Sequence, residues 1–236
     1  MPSMSRPPLK HALAVVVCLL ALLPQPTAAQ NAPTREELAI YAGLHEAAAK
    51  GDAAEIERLV KGGERIDIQD SKSRTPLLVA AYMKHPDAVR TLLKLGANPG
   101  ALDIDRYDIV TVAAVANDLA TLKAALEGGA SAKSITSRYN GTALIAAAHL
   151  GHAEAVKMLI AAKAPLNHVN NLGWTALMEA VVLGNGGSGH TASVRALVEA
   201  GCDVNIADRQ GITPLQHARR RGYVEMARIL ENAGAR

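Results

Sequence analysis

The clearest pattern along the chain is a block of small and aliphatic residues that returns at nearly constant spacing. Thr-Pro-Leu-Leu-Val-Ala-Ala at 75–81 returns as Thr-Ala-Leu-Ile-Ala-Ala-Ala at 142–148 and as Thr-Ala-Leu-Met-Glu-Ala-Val at 175–181. A shorter copy and two weaker ones complete a set of starts at 42, 75, 108, 142, 175 and 213. These starts are spaced by 33, 33, 34, 33 and 38 residues. Such a period predicts a stack of about six copies of one structural unit.

Within each unit the apolar positions predict two short helices. In the second unit Thr75 can cap a helix, and Pro76 suits its first turn because that turn needs no intrahelical donor. One face of this helix collects Leu77, Ala80 and Ala81. A second apolar stripe ends at Gly96, which can adopt the left-handed conformation that closes a helix. The stretch between units is rich in Asn, Asp and Gly and predicts a hairpin-like connection.

Several positions depart from this pattern. Asp-Ile-Val-Thr at 108–111 replaces the usual tetrad, Lys163 stands where the helix-ending glycine belongs, and the connection before Thr142 is one residue longer. We expect these units to be less regular and locally mobile. Thr-Arg-Glu-Glu at 34–37 is a capping-box pattern that would lengthen the first helix of the first unit upstream. The five extra residues 185–189 are expected to form a flexible link between helices.

These motifs are similar to those of the ankyrin repeat family. They are Thr-Pro-Leu at 75–77 and 213–215, Gly151-His152, Gly-Cys-Asp-Val-Asn at 201–205, Asp208 and Gly173-Trp174-Thr175. The resemblance implies an all-α repeat fold, an ankyrin solenoid of about six helix-turn-helix units with hairpin-like connections, over residues 30–236. It also implies a non-catalytic scaffold that binds a protein partner through a concave surface of hairpin tips and first helices.

Composition narrows the function classes. Of 236 residues 49% are hydrophobic and 20% are charged, which excludes a disordered chain. There is no Phe, one Trp and five Tyr, so the core must consist of thin, closely packed helices. The net charge of +3, from 25 basic and 22 acidic residues, is too balanced for a protein that binds the phosphate backbone of a nucleic acid.

The N-terminal segment has the features of a secretory signal. Arg6 and Lys10 precede an apolar run over 12–23, after which prolines and the small residues Thr27-Ala28-Ala29 follow. A twelve-residue helix rises only about 18 Å, too short for a hydrocarbon core of about 30 Å. The sequence therefore predicts a signal peptide over 1–29, cleaved after Ala29, a periplasmic or secreted protein, and no stable membrane anchor after cleavage.

The remaining cysteine predicts a fold without disulfides. Cys18 lies inside the signal and leaves with it, so Cys202 is the one thiol of the mature chain. Stability must then come from packing. We interpret Cys202 as a small buried hydrophobe, with a redox thiol as the alternative.

One motif resembles a dinucleotide site. Gly-Asn-Gly-Gly-Ser-Gly at 184–189 matches G-x-G-x-x-G, and Asp208 follows about twenty residues later. The stretch before it contains the helical tetrad at 175–178, so the strand that this motif requires is predicted to be a helix. We therefore expect no nucleotide cofactor.

The histidines raise the possibility of a metal site. His149 and His152 are close in sequence, and His190 occupies the position of His152 one unit later. Further ligands at suitable spacing are missing, so we interpret these histidines as packing residues and expect no metal or other cofactor. No arrangement for general acid-base or nucleophilic catalysis is apparent either.

The resemblance points to specific binding residues. In the family, the two residues before each inter-helix turn face the groove, and here they are mostly apolar where exposed positions are usually polar. The predicted protein-binding residues at these positions are Tyr82, Met83, Val115, His149, Leu150, Val182, Leu183, Arg220 and Arg221. Tyr107, Tyr139 and Trp174, in or beside the hairpins, could extend the surface. The alternative is that these side chains pack onto neighbouring helices.

The sequence thus predicts a monomeric scaffold or adaptor in a bacterial periplasm that binds a protein of unknown identity. An immunity or effector protein that binds a toxin or a host target is the alternative, and a metal-binding or enzymatic protein is a weaker one. A neighbouring toxin gene would favour immunity, whereas a neighbouring gene for an envelope or stress enzyme would favour an adaptor.

The signal segment gives a direct prediction about processing. Because the apolar run is too short to span a bilayer and precedes small residues, we expect the mature chain to begin at Gln30. Intact-mass measurement of the protein from its native host checks this. A predominant species that retains residues 1–29 would contradict it.

Overall fold

The computed structural model describes residues 32–236, which form one compact unit. These residues contain helices, an isolated bridge between Thr136 and Gly141, and no strand. The all-α prediction is therefore confirmed. The thirteen helices of this described part are α1 (Arg35–Ile40), α2 (Gly43–Lys50), α3 (Ala53–Lys61), α4 (Pro76–Tyr82), α5 (Pro86–Lys94), α6 (Ile109–Val115), α7 (Leu119–Glu127), α8 (Ala143–His149), α9 (Ala153–Ala161), α10 (Ala176–Val182), α11 (Ser188–Glu199), α12 (Pro214–Arg220) and α13 (Val224–Asn232).

From α2 onward the helices form six antiparallel pairs that stack in chain order. The first helices of the pairs (α2, α4, α6, α8, α10, α12) contact one another in sequence, and the second helices form a parallel row. Each helix is too short to be stable alone, so its stability comes from the apolar surface buried against its neighbours. Alanine pairs such as Ala80-Ala81 and Ala147-Ala148 are fully buried, which lets the first helices approach closely.

The first helices begin in the same way in most units. The side chains of Thr75, Thr142, Thr175 and Thr213 each accept a hydrogen bond from the backbone N–H three residues later. In the third unit Asp108 does the same, accepting from Thr111 N at 2.8 Å. Aspartate in place of threonine at this position therefore preserves the cap. Burial raises the pKa of the Asp108 carboxyl.

Most second helices end on a glycine in the left-handed conformation. Gly96, for example, has φ +95°. Lys163 occupies this position after α9 with φ +65°. A residue with a Cβ atom costs about 1 kcal/mol there, so the missing glycine leaves the backbone path intact at a small cost in stability.

The connections between pairs are tight turns, each closed by one polar side chain. Asp70 Oδ1 accepts from the backbone N–H groups of Lys72 and Arg74 at 2.8 and 2.9 Å. Asp103, Asn170 and Asp208 make the same two bonds in their own turns. In the longer connection Ser137 Oγ takes this role, so the turn accommodates the extra residue.

The N-terminal end differs from the sequence prediction. The capping box at Thr34 and Glu37 is present, but it begins the separate helix α1, because Tyr41 and Ala42 are extended and interrupt the path to α2. Helix α1 is held by Arg74, whose side chain is 1% exposed and lies 2.9 Å from Glu37 and 2.7 Å from Asp70. Removing one partner of such a buried ion pair leaves the other charge buried without compensation, which is strongly destabilising.

The five extra residues 185–189 also differ from prediction. Only residues 185–187 belong to the link between helices, because α11 already begins at Ser188 and runs for 12 residues, compared with 9 in the other second helices. The backbone at Gly189 packs directly on the preceding unit: a Cβ atom there would lie 2.5 Å from the carbonyl oxygen of Gly151. The insertion therefore adds a turn to a packed helix.

Two sequence predictions concern the compartment. The signal segment 1–29 and its cleavage site lie outside the described residues. Within residues 32–236 no helix combines the length and the hydropathy needed to cross a bilayer. Cys202 is buried, and burial raises the pKa of its thiol to about 11, so the thiol is protonated at neutral pH.

The stacking of short helices gives a prediction about stability. Leu144 in α8 is fully buried in the middle of the stack, so Leu144→Ala should lower the free energy of unfolding by about 2–5 kcal/mol through loss of apolar contacts and formation of a cavity. Leu183→Ala, at an exposed position, is the matched control and should cost about 0.5 kcal/mol. Chemical denaturation of both variants checks this, and equal costs would contradict it.

Candidate protein-binding surface

The predicted binding residues of the first helices lie at the C-terminal ends of these helices, one or two in each unit from the second to the sixth. Leu183 is 41% exposed, and Arg220 and Arg221 are exposed as well. The half-buried members of the set are Met83, Val115, His149 and Leu150. The structure therefore leaves part of this set accessible from one side of the stack.

Two members of the set are buried, so the expectation that they are exposed is wrong. Tyr82 and Val182 are each 9% exposed and pack in the core. Tyr82 also donates its hydroxyl to Asp103 Oδ2 at 2.5 Å, which ties α4 to the turn that follows the α4/α5 pair. Burial, together with this bond, raises the pKa of Tyr82. The alternative interpretation as packing residues applies to these two positions.

His149 belongs to a small polar cluster. Its Nδ1 lies 2.9 Å from Glu179 Oε2, and Asn170 Nδ2 donates to Glu179 Oε1 at 3.0 Å. Glu179 is buried, whereas the His149 side chain is 40% exposed. The cluster joins α8, α10 and the turn before α10, so the carboxylate orients a histidine ring that faces solvent.

The three aromatic residues predicted near the hairpins differ in exposure. Tyr139 lies at a turn and is 57% exposed. Tyr107 and Trp174 are half-buried, and Tyr107 packs against the core. Burial raises the pKa of Tyr107. Of the three, Tyr139 presents the most accessible ring.

The second helices present a different surface. Exposed charges pair along most of these helices, as in Arg58 with Glu55 at 2.6 Å and Lys157 with Glu154 at 2.8 Å. Between α11 and α13, hydrogen bonds from Arg228 and Arg195 lower the pKa of Glu225 to about 2. Such mutually neutralising surface pairs add little stability, but they leave this side without an excess of either charge.

The remaining histidines near the inter-helix turns are structural. His85, His152 and His190 each bond through a ring nitrogen to a backbone carbonyl oxygen of the preceding unit, that of Ala49, Ala114 and His149 respectively. Tyr223 donates to Gly184 O in the same way. No group of His, Cys, Asp or Glu within residues 32–236 has the arrangement of a metal site. The segment before the glycine motif is helix α10, so the motif lacks the strand that a dinucleotide site needs.

Sequence reasoning missed the buried polar residues that support this surface. Glu179, Asn170 and Asp103 were not predicted to contribute, although each bonds to a predicted residue or to one of its partners. The available signal was an Asp or Asn five residues before the helix cap in four of the connections. The residue that bonds to this Asp or Asn varies in identity and position from unit to unit, so the repeat pattern does not reveal the contact.

The family model described as ankyrin repeats (3 copies) matches residues 16–103 and 110–206. The chain belongs to the ankyrin repeat family. Ankyrin repeats generally mediate binding between proteins and are generally non-catalytic scaffolds.

Similar ankyrin repeat proteins occur in bacteria. The chain is 32% identical over 190 residues to the ankyrin repeat protein YahD of Escherichia coli, covering 80% of this chain and 94% of that protein. A crystal structure of an ankyrin repeat domain from Acinetobacter baumannii is 46% identical, with a TM-score of 0.78, over 82% of this chain and 98% of that one. A chain in the complex of a Bdellovibrio bacteriovorus predatory endopeptidase with an immunity protein is 26% identical, with a TM-score of 0.64, over 81% and 98%.

The burial of Tyr82 gives a prediction that separates core from surface. Tyr82→Phe removes the hydroxyl that bonds to buried Asp103 and should cost about 1–3 kcal/mol of unfolding free energy, since the carboxylate loses a donor without regaining water. Tyr139→Phe removes the same hydroxyl at an exposed position and should cost about 0.5 kcal/mol at most. Thermal and chemical denaturation compare the two variants. A Tyr82→Phe protein as stable as the control would show that the bond is not structural.

Proposed function

We propose that this ankyrin repeat protein is a non-catalytic scaffold or adaptor of the bacterial periplasm that binds a partner protein through the side formed by its hairpin turns and first helices. The signal-like segment 1–29 supports export. The family supports binding rather than catalysis. The bound partner would contact the groove that the family presents as its concave surface.

One observation carries this proposal. Within residues 32–236, nine large hydrophobic side chains are exposed, and seven of them lie in the hairpin connections or at the end of a first helix. The seven are Ile68, Ile104, Ile135, Tyr139, Val169, Leu172 and Leu183. The other two, Ile40 and Val224, lie on α1 and α13 near the ends of the stack. Exposed apolar side chains concentrated in the hairpin connections and at the end of a first helix, while the second helices carry paired charges, are typical of a protein-binding surface.

An immunity function is the second candidate. The observation that favours it is the similarity to a chain from the endopeptidase–immunity protein complex, at 26% identity. A partner of this kind would be a peptidase or toxin, and the same side of the stack would bind it. A gene for such an enzyme next to the gene for this protein would favour immunity, and inhibition of that enzyme by the purified protein would establish it.

The test uses capture of the partner from a periplasmic extract by chemical crosslinking and pull-down. Leu183→Asp places a charge on the binding side at a position exposed enough to leave the core intact. We expect it to weaken capture at least about tenfold, equivalent to about 1.4 kcal/mol. Circular dichroism and the melting temperature should change little.

The matched control is Val224→Asp, which places the same charge at an exposed aliphatic residue, 78% accessible, on α13. It should leave capture unchanged. Equal losses in the two variants, or a partner that crosslinks to the second helices, would overturn the proposed surface. A partner found only in the cytoplasm would overturn the proposed compartment.

A further inference from the structure

The centres of the five hairpin turns form a continuous row along one edge of the stack. We call this set the tip row, and it consists of residues 71–72, 104–105, 138–139, 171–172 and 209–210. Each pair lies in a turn closed by a backbone bond, such as Ser73 N to Asp70 O at 3.0 Å. Nine of the ten residues are exposed, and Asp105 is half-buried.

Hydrogen bonds between neighbouring turns hold the row together. Ile104 N donates to Lys72 O, and Asn171 N donates to Tyr139 O, each at 2.9 Å. The Arg209 guanidinium donates to Asn171 O. Packed helices lie about 8–10 Å apart, so three neighbouring turns span roughly 20 Å. An extended peptide of about six or seven residues has this length.

Three consecutive turns carry an exposed apolar side chain. Ile104 is 50% exposed, Tyr139 is 57% exposed and Leu172 is 42% exposed. Residues at such turns gain little by burial within the stack, and solvent-facing turns usually carry polar side chains. The three side chains therefore provide an apolar surface in the middle of the row.

Basic groups surround this apolar surface. Lys72, Arg106, Arg138 and Arg209 are all exposed at or beside the turns. The one acidic residue of the tip row, Asp105, is paired with Arg138. Within residues 32–236, neither Lys72 nor Arg106 lies within ion-pairing distance of a carboxylate, because the other turn carboxylates bond inward.

Those inward-facing carboxylates explain the asymmetry. Asp70, Asp103 and Asp208 use one oxygen to close their own turns and the other to bond Tyr41, Tyr82 and His217 respectively. The turn-closing carboxylates are thus engaged beneath the surface, and the exposed charges at or beside the turn centres are the ammonium and guanidinium groups of Lys72, Arg106, Arg138 and Arg209. The second helices show no such separation.

We propose that the tip row binds an acidic segment of a partner protein in which aliphatic or aromatic side chains alternate with carboxylates. The inference rests on the proposed function and adds the chemistry of the partner. Carboxylates would pair with Lys72 and Arg106, and apolar side chains would contact Ile104, Tyr139 and Leu172. A nucleic acid or a lipid headgroup would satisfy the charges, but it would leave Ile104 and Leu172 without a complementary group.

The experiment selects ligands without prior choice of sequence. A random dodecapeptide phage library is panned against the protein purified in the form that its host produces. We expect the selected peptides to be enriched in Asp and Glu together with Leu, Ile, Tyr or Phe. Their affinity, measured by fluorescence anisotropy, should fall as salt is raised, because exposed charges are screened.

Two double variants test the two halves of the row. Tyr139→Ser with Leu172→Ser removes apolar surface, and Lys72→Gln with Arg106→Gln removes charge. Each double variant should weaken binding of the selected peptides at least about tenfold. Both change exposed side chains, so circular dichroism should remain unchanged.

Matched controls alter the same chemistry elsewhere. Ile40→Ser with Val224→Ser removes two exposed aliphatic side chains, 80% and 78% accessible. Lys94→Gln with Lys163→Gln removes two exposed charges, and Lys163 shares with Arg106 a left-handed backbone at φ +65°. Both controls should bind the peptides within about twofold of the unaltered protein.

The possible results distinguish failure of this inference from binding of other ligands and from failure of the proposed function. Failure to select peptides, selection of neutral or basic peptides, or equal binding by tip-row and control variants would overturn the inference. Binding of a single-stranded DNA oligonucleotide or of phosphatidylglycerol vesicles that is lost in the Lys72/Arg106 variant would assign the row to those ligands instead. If the captured partner crosslinks near Leu183 and not to the tip row, the proposed function stands and this inference fails.

Discussion

The structure depends above all on the side chain that closes each hairpin turn. An aspartate, an asparagine or, once, a serine accepts two backbone N–H groups of its own turn, and four of these side chains use their second polar atom to bond a side chain of a first helix or of the segment before it. A short connection is thereby fixed to the short helices beside it. Since these helices are too short to persist alone, this fixation sets the register in which each unit packs on the next.

The same interaction shapes the binding side. A carboxylate that accepts bonds from beneath cannot also face solvent, so the turns present the residues on either side of it. Some of these are Arg or Lys and some are apolar, whereas on the second helices acids and bases remain in mutual contact. One structural requirement of the turn thus leaves mainly basic charges exposed at the turn centres, whereas the charges of the second helices remain balanced.

Most of the fold was predictable from the sequence because a repeat imposes the same packing problem in every unit. The caps at Thr75 and Thr142, the glycine at 96 and the buried alanine pairs follow from local chemistry and recur. The predictions that were wrong concern features that depend on residues outside the local motif. The capping box at Thr34 cannot show that Tyr41 and Ala42 leave the helical path, and the glycines of 185–189 cannot show that the following helix begins among them.

The binding residues were harder to predict for a related reason. Tyr82 and Arg220 each end a first helix at the same position of the repeat, yet Tyr82 is buried with a partner in Asp103 and Arg220 is exposed. Exposure depends on whether the neighbouring unit supplies a group for the side chain to meet. That information is distributed over residues about twenty positions apart, and the repeat period does not contain it.

The bonds from His85, His152, His190 and Tyr223 to the carbonyl groups of the preceding unit have a mechanical consequence. Neighbouring units are joined at the hairpin turns and again at the opposite end of the first helices, and two separated attachments resist twisting more than one does. The third unit has Asp118 at this position, and it bonds its own helix at Thr121 instead. Within the described chain, the boundary between the second and third units therefore lacks this second bond, and away from the hairpin turns these two units are joined by the packing of α4 on α6 and of α5 on α7.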